Sequence, residues 1–348
     1  MMVLLGQCLK RPVSTAFARG SSQRSFASEG DLFMSSIRES RSCGLASVTE
    51  LVGAARARGL QLATNQAELD QTGLDFHVVH GADEHGTRWI VRTPRRSDVV
   101  AAARVEARVL SLVAPRLPVE VPIWRVHDDD VIAYRRLEGT PAVTLDENGP
   151  KWNVIDPAAP CEAFLDSFAT MLASLQSITV EEAERAGVPI RPIARSRATI
   201  AGAMEATRKV LAPSDAVWSR WQRWLSNDDL WPTHIALVHG DLHPGHMLLA
   251  PDGTLTGVLD WTEAQFTDPS LDLAMFFGCF GAKALEALLS RFERAGGKVW
   301  PGLVAHAVER WAAFPALGAE WALRTNNDGV LEHVRAQLAA LPPPIGVD

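Results

Sequence analysis

The 348-residue chain is 47% hydrophobic and 22% charged, the proportions of a globular protein with ample core, and it is long enough for two lobes. A formal net charge of −7 argues against a general nucleic-acid binder and suits a cationic substrate. Cys8, Cys43, Cys161 and Cys279 are scattered without a Cys-x-x-Cys pair, which argues against a zinc site or a disulfide framework; no apolar run approaches the roughly 18 residues a bilayer span needs.

The expected protein is therefore cytoplasmic and monomeric, with no membrane segment. Residues 1–46 stand apart: Lys10, Arg11, Arg19 and Arg24 occur among many serines, and no acid precedes Glu29. Either an organelle transit peptide or an upstream start codon chosen ahead of Met34 accounts for this composition, and in both cases the segment is expected to be disordered.

From Ser47, the spacing of Val48, Leu51, Val52 and Ala55 predicts a short amphipathic helix ending near Gly59. Asp75–Val79 and Arg88–Arg92 read as strands of a hairpin around the polar turn 81–86. Ser97 or Asp98 is expected to cap a helix running to Val113, where Val99, Ala103, Glu106, Leu110 and Val113 share a face. A carboxylate inside that apolar stripe costs stability unless a cation meets it. A second hairpin, Val121–Val126 with Val131–Tyr134, turns at His127–Asp130, and residues 135–139 then lead out of the sheet.

Beyond a proline-containing linker, Phe164, Phe168, Met171, Leu172 and Leu175 form a helical core stripe. In the next tryptophan-rich helix, Trp218, Trp221 and Leu225 are expected to share the packed face, with Trp224 elsewhere. Asp268 suits the N-cap and Pro269 the first turn of a further helix. Helical patterning continues to about Leu341, broken at 295–297 and 326–329.

The chemistry concentrates in Leu237–Leu249, which contains His239-Gly-Asp-Leu-His-Pro-Gly-His246, and in Leu255–Trp261, which ends on Asp260-Trp261. Taken alone, His239-Gly-Asp241 describes a satisfied turn. With His246 five positions on and Asp260 closing a second apolar run, the order is that of phosphoryl transfer: a carboxylate to orient the nucleophile, then two magnesium ligands.

These motifs, with Asp268-Pro-Ser-Leu-Asp272, resemble the aminoglycoside-phosphotransferase family of protein-kinase-like small-molecule kinases. Most of that family has Asn at the position of His246. The macrolide 2′-phosphotransferases within it carry His, and the chain resembles them further at Trp89–Arg92, Thr93–Arg96, Trp221–Leu225 and Gly296–Trp300, so the likeness spans about Ser47 to Ala340. It implies a two-lobed α+β fold, with a nucleotide-binding lobe of antiparallel sheet at 47–137 and a helical lobe with the catalytic and substrate sites at 138–348.

The resemblance also assigns roles. Asp241 is the base or orienter for the acceptor hydroxyl, and His246 and Asp260 hold Mg2+. Arg92 stands where kinases place the phosphate-contacting lysine and is the expected partner of Glu106, while Tyr134, Arg136 and Leu137 form the hinge against the purine of GTP or ATP. The chain has no Gly-x-Gly-x-x-Gly loop. Asp268 and Asp272 read as scaffold, Asp272 bracing the catalytic loop. Phe276, Phe277, Phe280 and Trp311 are candidates for the apolar wall of a macrolide site. A kinase of an aminoglycoside or another alcohol, and a nucleotide-binding pseudokinase, are the competing readings.

Overall fold

The computed structural model describes residue 45 and residues 47–71, 73, 75–146 and 149–341. The expectations for the N-terminal extension fall outside these residues, apart from Leu45, which packs against the first core cluster. Helix α1 (Val48–Ala57) begins at Ser47, whose side chain and that of Glu50 cap one another's backbone amides in a capping box. Its buried residues Leu51, Val52 and Ala55 are the ones its spacing singled out.

Five antiparallel strands follow: β1 (Glu68–Asp70), β2 (Phe76–Ala82), β3 (Arg88–Pro94), β4 (Trp124–His127) and β5 (Ile132–Arg135), in the order β1-β2-β3-β5-β4. Alternation along each strand divides the sheet into two faces. Val79, Trp89, Val91, Val126 and Ala133 meet α1 on one face. On the other, Phe76, Ile90, Ile132 and Tyr134 meet Val99 and Ala103 of α2 (Ser97–Val113). The register sets Arg92 opposite Ile132 and Ile90 opposite Tyr134, so Arg92 shares a face with the aromatic residues.

Helix α2 starts one residue earlier than its expected caps. Arg96 occupies the N-cap without a side-chain cap bond, because a guanidinium has no acceptor to offer a backbone amide; it donates to Asp75 and Asp98 instead.

After β5 the chain crosses to the second lobe through Gly139, at φ 120°. A Cβ there would lie 2.9 Å from Thr256 Oγ1 and 3.0 Å from Leu248 Cβ, so the crossover needs glycine for both conformation and space. Strand β6 (Thr140–Pro141) then joins a small sheet, and the proline-containing linker includes a hairpin of β7 (Val143–Asp146) and β8 (Gly149–Trp152).

Helices α3 (Glu162–Gln176), α4 (Val180–Ala186), α5 (Ile193–Leu211) and α6 (Asp215–Ser226) build the second lobe. They are completed by α7 (Ser270–Arg294), α8 (Leu303–Thr325) and α9 (Asp328–Ala340). In α3 all five predicted stripe residues are buried, with Phe164 and Phe168 against Phe276 and Phe280 of α7. The tryptophan helix differs from expectation. Its buried face is Val217, Arg220, Trp221 and Trp224, while Trp218 and Leu225 are only half-buried. Trp224 is drawn inward because its indole N–H donates to His306 Nδ1 at 3.0 Å.

Helix α7 corrects a second expectation, since by length and composition it is apolar enough to cross a membrane. Its contacts are those of a core helix: it packs against α3 and α8 and is broken at Gly281, φ 81°.

A buried network ties the start of α7 to α6 and α8. Asp268 accepts from His306 Nε2 at 2.8 Å and from Arg310, and its other oxygen accepts the Ser270 amide; the N-cap itself is Pro269, so Asp268 braces the helix start from one residue before the cap position expected of it. Burial alone would raise the Asp268 carboxyl, but Arg310 and His306 outweigh it and hold the group well below the usual carboxylate range. A depressed acid contributes stability above its unfolded pKa, about 3.9, and loses it as pH falls towards the folded value. The stability difference between wild type and Asp268→Asn is therefore expected to be constant from pH 7 to about pH 5 and to shrink below about pH 4. Urea unfolding across that range checks it; a difference that grows on acidification contradicts the ion pair.

Candidate active site

Two loops meet at the mouth of the cleft. The first joins β9 (Ala236–Val238) to β10 (Met247–Leu249), and the second joins β11 (Leu255–Val258) to β12 (Gln265–Thr267). Because β9 pairs with β12 and β10 with β11, both loops emerge from adjoining short sheets, and the Leu259 amide donates to His246 O at 2.9 Å to tie them. Gly240, at φ 87°, lies where a Cβ would sit 2.3 Å from Glu263 O. Only glycine permits the loops to approach so closely.

Asp272, on the first turn of α7, accepts the amides of His239 at 2.8 Å and Gly240 at 2.9 Å, which is the bracing role expected of it. Burial pushes its carboxyl up to about 6 although both amides oppose the shift. Asp241 follows directly. It is 7% exposed, and burial raises its carboxyl above the ordinary range. A basic, desolvated carboxylate is suited to receive a proton or orient a hydroxyl.

Backbone contacts set the tautomers of three histidines here. His239 Nε2 donates to Leu259 O at 2.9 Å, leaving Nδ1 to accept the Asp241 amide at 3.3 Å. Burial, aided by the neighbouring His246, pushes His239 down to about 3, so it stays neutral. His246 Nδ1 lies 3.0 Å from Asp241 O; a carbonyl only accepts, so Nδ1 carries the proton and Nε2 keeps its lone pair. That Nε2 stands 3.6 Å from Asp260 Oδ2.

Asp260 is held at φ 59° with Oδ1 receiving the Thr262 hydroxyl. Its enclosure would raise it, yet His246, the Thr262 hydroxyl and Arg92 keep the carboxyl below the ordinary range. An unprotonated imidazole nitrogen and an ionised carboxylate oxygen at this separation fit a shared divalent cation, with the Asp241 carbonyl orienting the imidazole.

The small lobe reaches the same point. Arg92 pairs with Glu106, which is fully buried, and Glu106 Oε1 also accepts the amide of Trp261 at 3.3 Å, next to Asp260. The Arg92 guanidinium lies 4.3 Å from the centre of the Phe76 ring. Among the described residues its Nε has no hydrogen-bond acceptor, so the group retains a donor for an anion. Burial opposes the Arg92 charge, and Glu106 more than restores it. Removing one partner leaves the other charged in a dry site, so Glu106→Ala is expected to cost about 3–5 kcal/mol. Urea unfolding measures this, and a loss under about 1 kcal/mol contradicts it.

Other predicted residues divide. Tyr134 is buried on the cleft face of β5, its phenol pushed up to about 12 by burial. Leu137 packs half-buried against the same cluster. Arg136 is exposed, and its amide is already committed to Arg88 O at 2.9 Å, so it extends the sheet rather than offering that amide to a base. A groove of about 970 Å³ at this end of the lobe, lined by Leu60, His85, Ile123, Arg125 and Arg135 among others, contains none of Asp241, His246 and Asp260.

Of the proposed apolar wall, Phe276 and Phe280 are core residues. Phe276 is 1% exposed, with its ring against Phe164, Phe168 and Phe280. Phe277 is half-buried and joins Met275, Trp311 and Phe314 in a separate small cluster.

The sequence reading passed over His243, which stacks on His246 with ring centres 3.8 Å apart. The signal was present in His243-Pro-Gly-His246. Pro244–His246 forms one turn of 3-10 helix capped by His243, and residues three apart on such a turn eclipse.

The sequence pattern of the phosphotransferase enzyme family matches residues 66–306, from the sheet through both loops to the His306 that supports them. The uncharacterized protein YcbJ of Bacillus subtilis (strain 168) is 38% identical over 296 residues, covering 84% of this chain and 95% of that protein. A solved macrolide 2′-phosphotransferase type I aligns with a TM-score of 0.78 at 36% identity, over 86% of this chain and 99% of that one. Macrolide 2′-phosphotransferase MphH from Brachybacterium faecium gives 0.76 at 34%, with the same coverage. Both share the two-lobed fold, with an antiparallel small lobe and a helical large one. On sequence and architecture together, the chain belongs to the phosphotransferase enzyme family and is a kinase-like phosphotransferase.

Proposed function

We propose that the enzyme transfers the γ-phosphoryl group of GTP or ATP to the 2′-hydroxyl on the amino sugar of a macrolide, inactivating it. The observation that carries this reading is the ligand pair His246–Asp260 beside Asp241 in a chain that aligns over most of its length with two macrolide 2′-phosphotransferases. In this mechanism Asp241 accepts the hydroxyl proton as the oxygen attacks, which its raised basicity favours. Arg92, fixed by Glu106, turns its remaining donor to the nucleotide phosphates. His246 and Asp260 would hold magnesium, which would supply charge neutralisation at the nucleotide phosphates.

The acceptor side also fits an amino sugar. Of the further acids near these loops, Asp268 is engaged by His306 and Arg310 and Asp272 by the amides of His239 and Gly240, while Glu263 stands on the second loop itself. Glu263 lies on the loop that abuts Gly240. Its carboxyl is raised, by enclosure first and then by the negative charge of Asp241, Asp260 and Asp75. A single dimethylammonium group relieves that repulsion without the many acids an aminoglycoside site requires. Domain roles follow the same division, with 47–137 for the nucleotide and 138–348 for catalysis and substrate.

The test is incubation of erythromycin with the protein, magnesium and GTP or ATP, read by mass spectrometry. Addition of one phosphate is expected. No shift on any macrolide, with turnover of kanamycin or another alcohol, assigns the chain to a different acceptor; no nucleotide turnover with any acceptor leaves a nucleotide-binding module.

A further inference from the structure

Asp241, His243 and His246 bring their ligand-type atoms within 4.8 Å of one another, which on proximity alone describes a three-residue metal site. The hydrogen bonds say otherwise for one of them. His243 Nδ1 accepts the amide of Gly245 at 3.0 Å, so that nitrogen is unprotonated and its lone pair is occupied. The ring's proton is therefore on Nε2. That edge faces Asp241 Oδ2 at 4.0 Å, too far for a hydrogen bond but placed so that the positive end of an N–H dipole points at the carboxylate. To ligate, His243 has to lose its Nε2 proton or turn its ring and abandon Gly245. His246 is under no such constraint, because its proton lies on the nitrogen that faces Asp241 O.

We infer that His243 is a positioning residue and not a metal ligand: its buried ring, stacked on His246 and anchored through Nδ1, holds the His246 Nε2 lone pair on the Asp260 side of the cleft. The contacts support each part of this. His243 is 4% exposed and is the cap of the turn that carries His246, so its ring cannot move without that turn. The ring planes are tilted by 37°, and the His246 ring is also held by its bond to Asp241 O and neighboured by the more distant His239 ring at 6.1 Å. Without the His243 ring, one face of His246 loses its packing partner, and the imidazole gains freedom to rotate away from Asp260.

The inference rests on the phosphotransfer reading above and predicts a divided outcome. Mn2+ with GDP serves as the probe, and electron spin-echo modulation counts the imidazole nitrogens on the metal. The wild-type protein is expected to show one, His246→Asn none, and His243→Asn still one. Asn at 243 keeps an acceptor for the Gly245 amide and a good cap, so the turn is retained while the stacked ring is lost. In kinetics, His243→Asn is expected to lower kcat by about 10–100-fold while KM for the nucleotide stays within about twofold. Two coordinated nitrogens in the wild type, falling to one in His243→Asn, overturn the inference and make His243 a ligand. Unchanged kcat in a folded His243→Asn also overturns it. Absence of any protein nitrogen on the metal in the wild type sinks this inference together with the assignment of His246, whereas failure to phosphorylate a macrolide leaves the nitrogen count standing and removes only the acceptor.

Discussion

Asp241→Asn is expected to lower kcat by roughly two to four orders of magnitude while leaving nucleotide affinity close to wild type. The substitution is nearly isosteric and falls on a residue whose backbone is fixed independently of its side chain. The Asp241 amide bonds to His239, its carbonyl to His246, and the preceding loop to Asp272. The variant therefore retains the loop and the His246 tautomer and removes only the group that receives the proton. Single-turnover kinetics with GTP and a macrolide, alongside calorimetric nucleotide binding, separate the two effects. A folded variant that keeps more than about a tenth of normal turnover rules out Asp241 as base or orienter.

Asp260→Ala is expected to abolish magnesium-dependent nucleotide binding. Asp260 is ionised across the whole neutral range, because His246, Thr262 and Arg92 together hold its carboxyl down. It supplies the hard oxygen ligand of the pair, and a lone imidazole is a poor magnesium site. Titration of GDP in the presence and absence of magnesium measures the coupling directly, and a variant whose magnesium dependence is unchanged refutes the assignment.

The cleft joins the two lobes through a short covalent and hydrogen-bonded path. Glu106 pairs with Arg92 inside the small lobe and at the same time accepts the Trp261 amide. A displacement of α2 thus moves a carboxylate that holds both the Arg92 guanidinium and the loop that bears Asp260. For that reason the stability and activity losses of a Glu106 variant are expected to appear together rather than separately.

Much of this was legible in the chain itself. Amphipathic spacing located α1, α2 and α3 and their inward faces, since one buried stripe per helix leaves a strong periodic mark. The same periodicity put Glu106 inside and so demanded a cation. The spacing of Asp241, His246 and Asp260 marked out the candidate site, because those residues lie on two loops close in sequence that the fold brings together.

What sequence could not decide were matters of orientation and competition for space. Trp218 and Trp224 are equally apolar, and the choice of Trp224 for the interior depended on a distant hydrogen-bond acceptor, His306. Phe276 and Phe280 were as suitable for a substrate wall as for a core until α3 was seen to fill against them. The apolar composition of α7 is that of a membrane span, and only its packing between α3 and α8 makes it a core helix. His243 and His246 read as similar residues in sequence. Their tautomers, and with them the proposed division between support and ligand, come from the backbone groups that the folded loop places beside each ring.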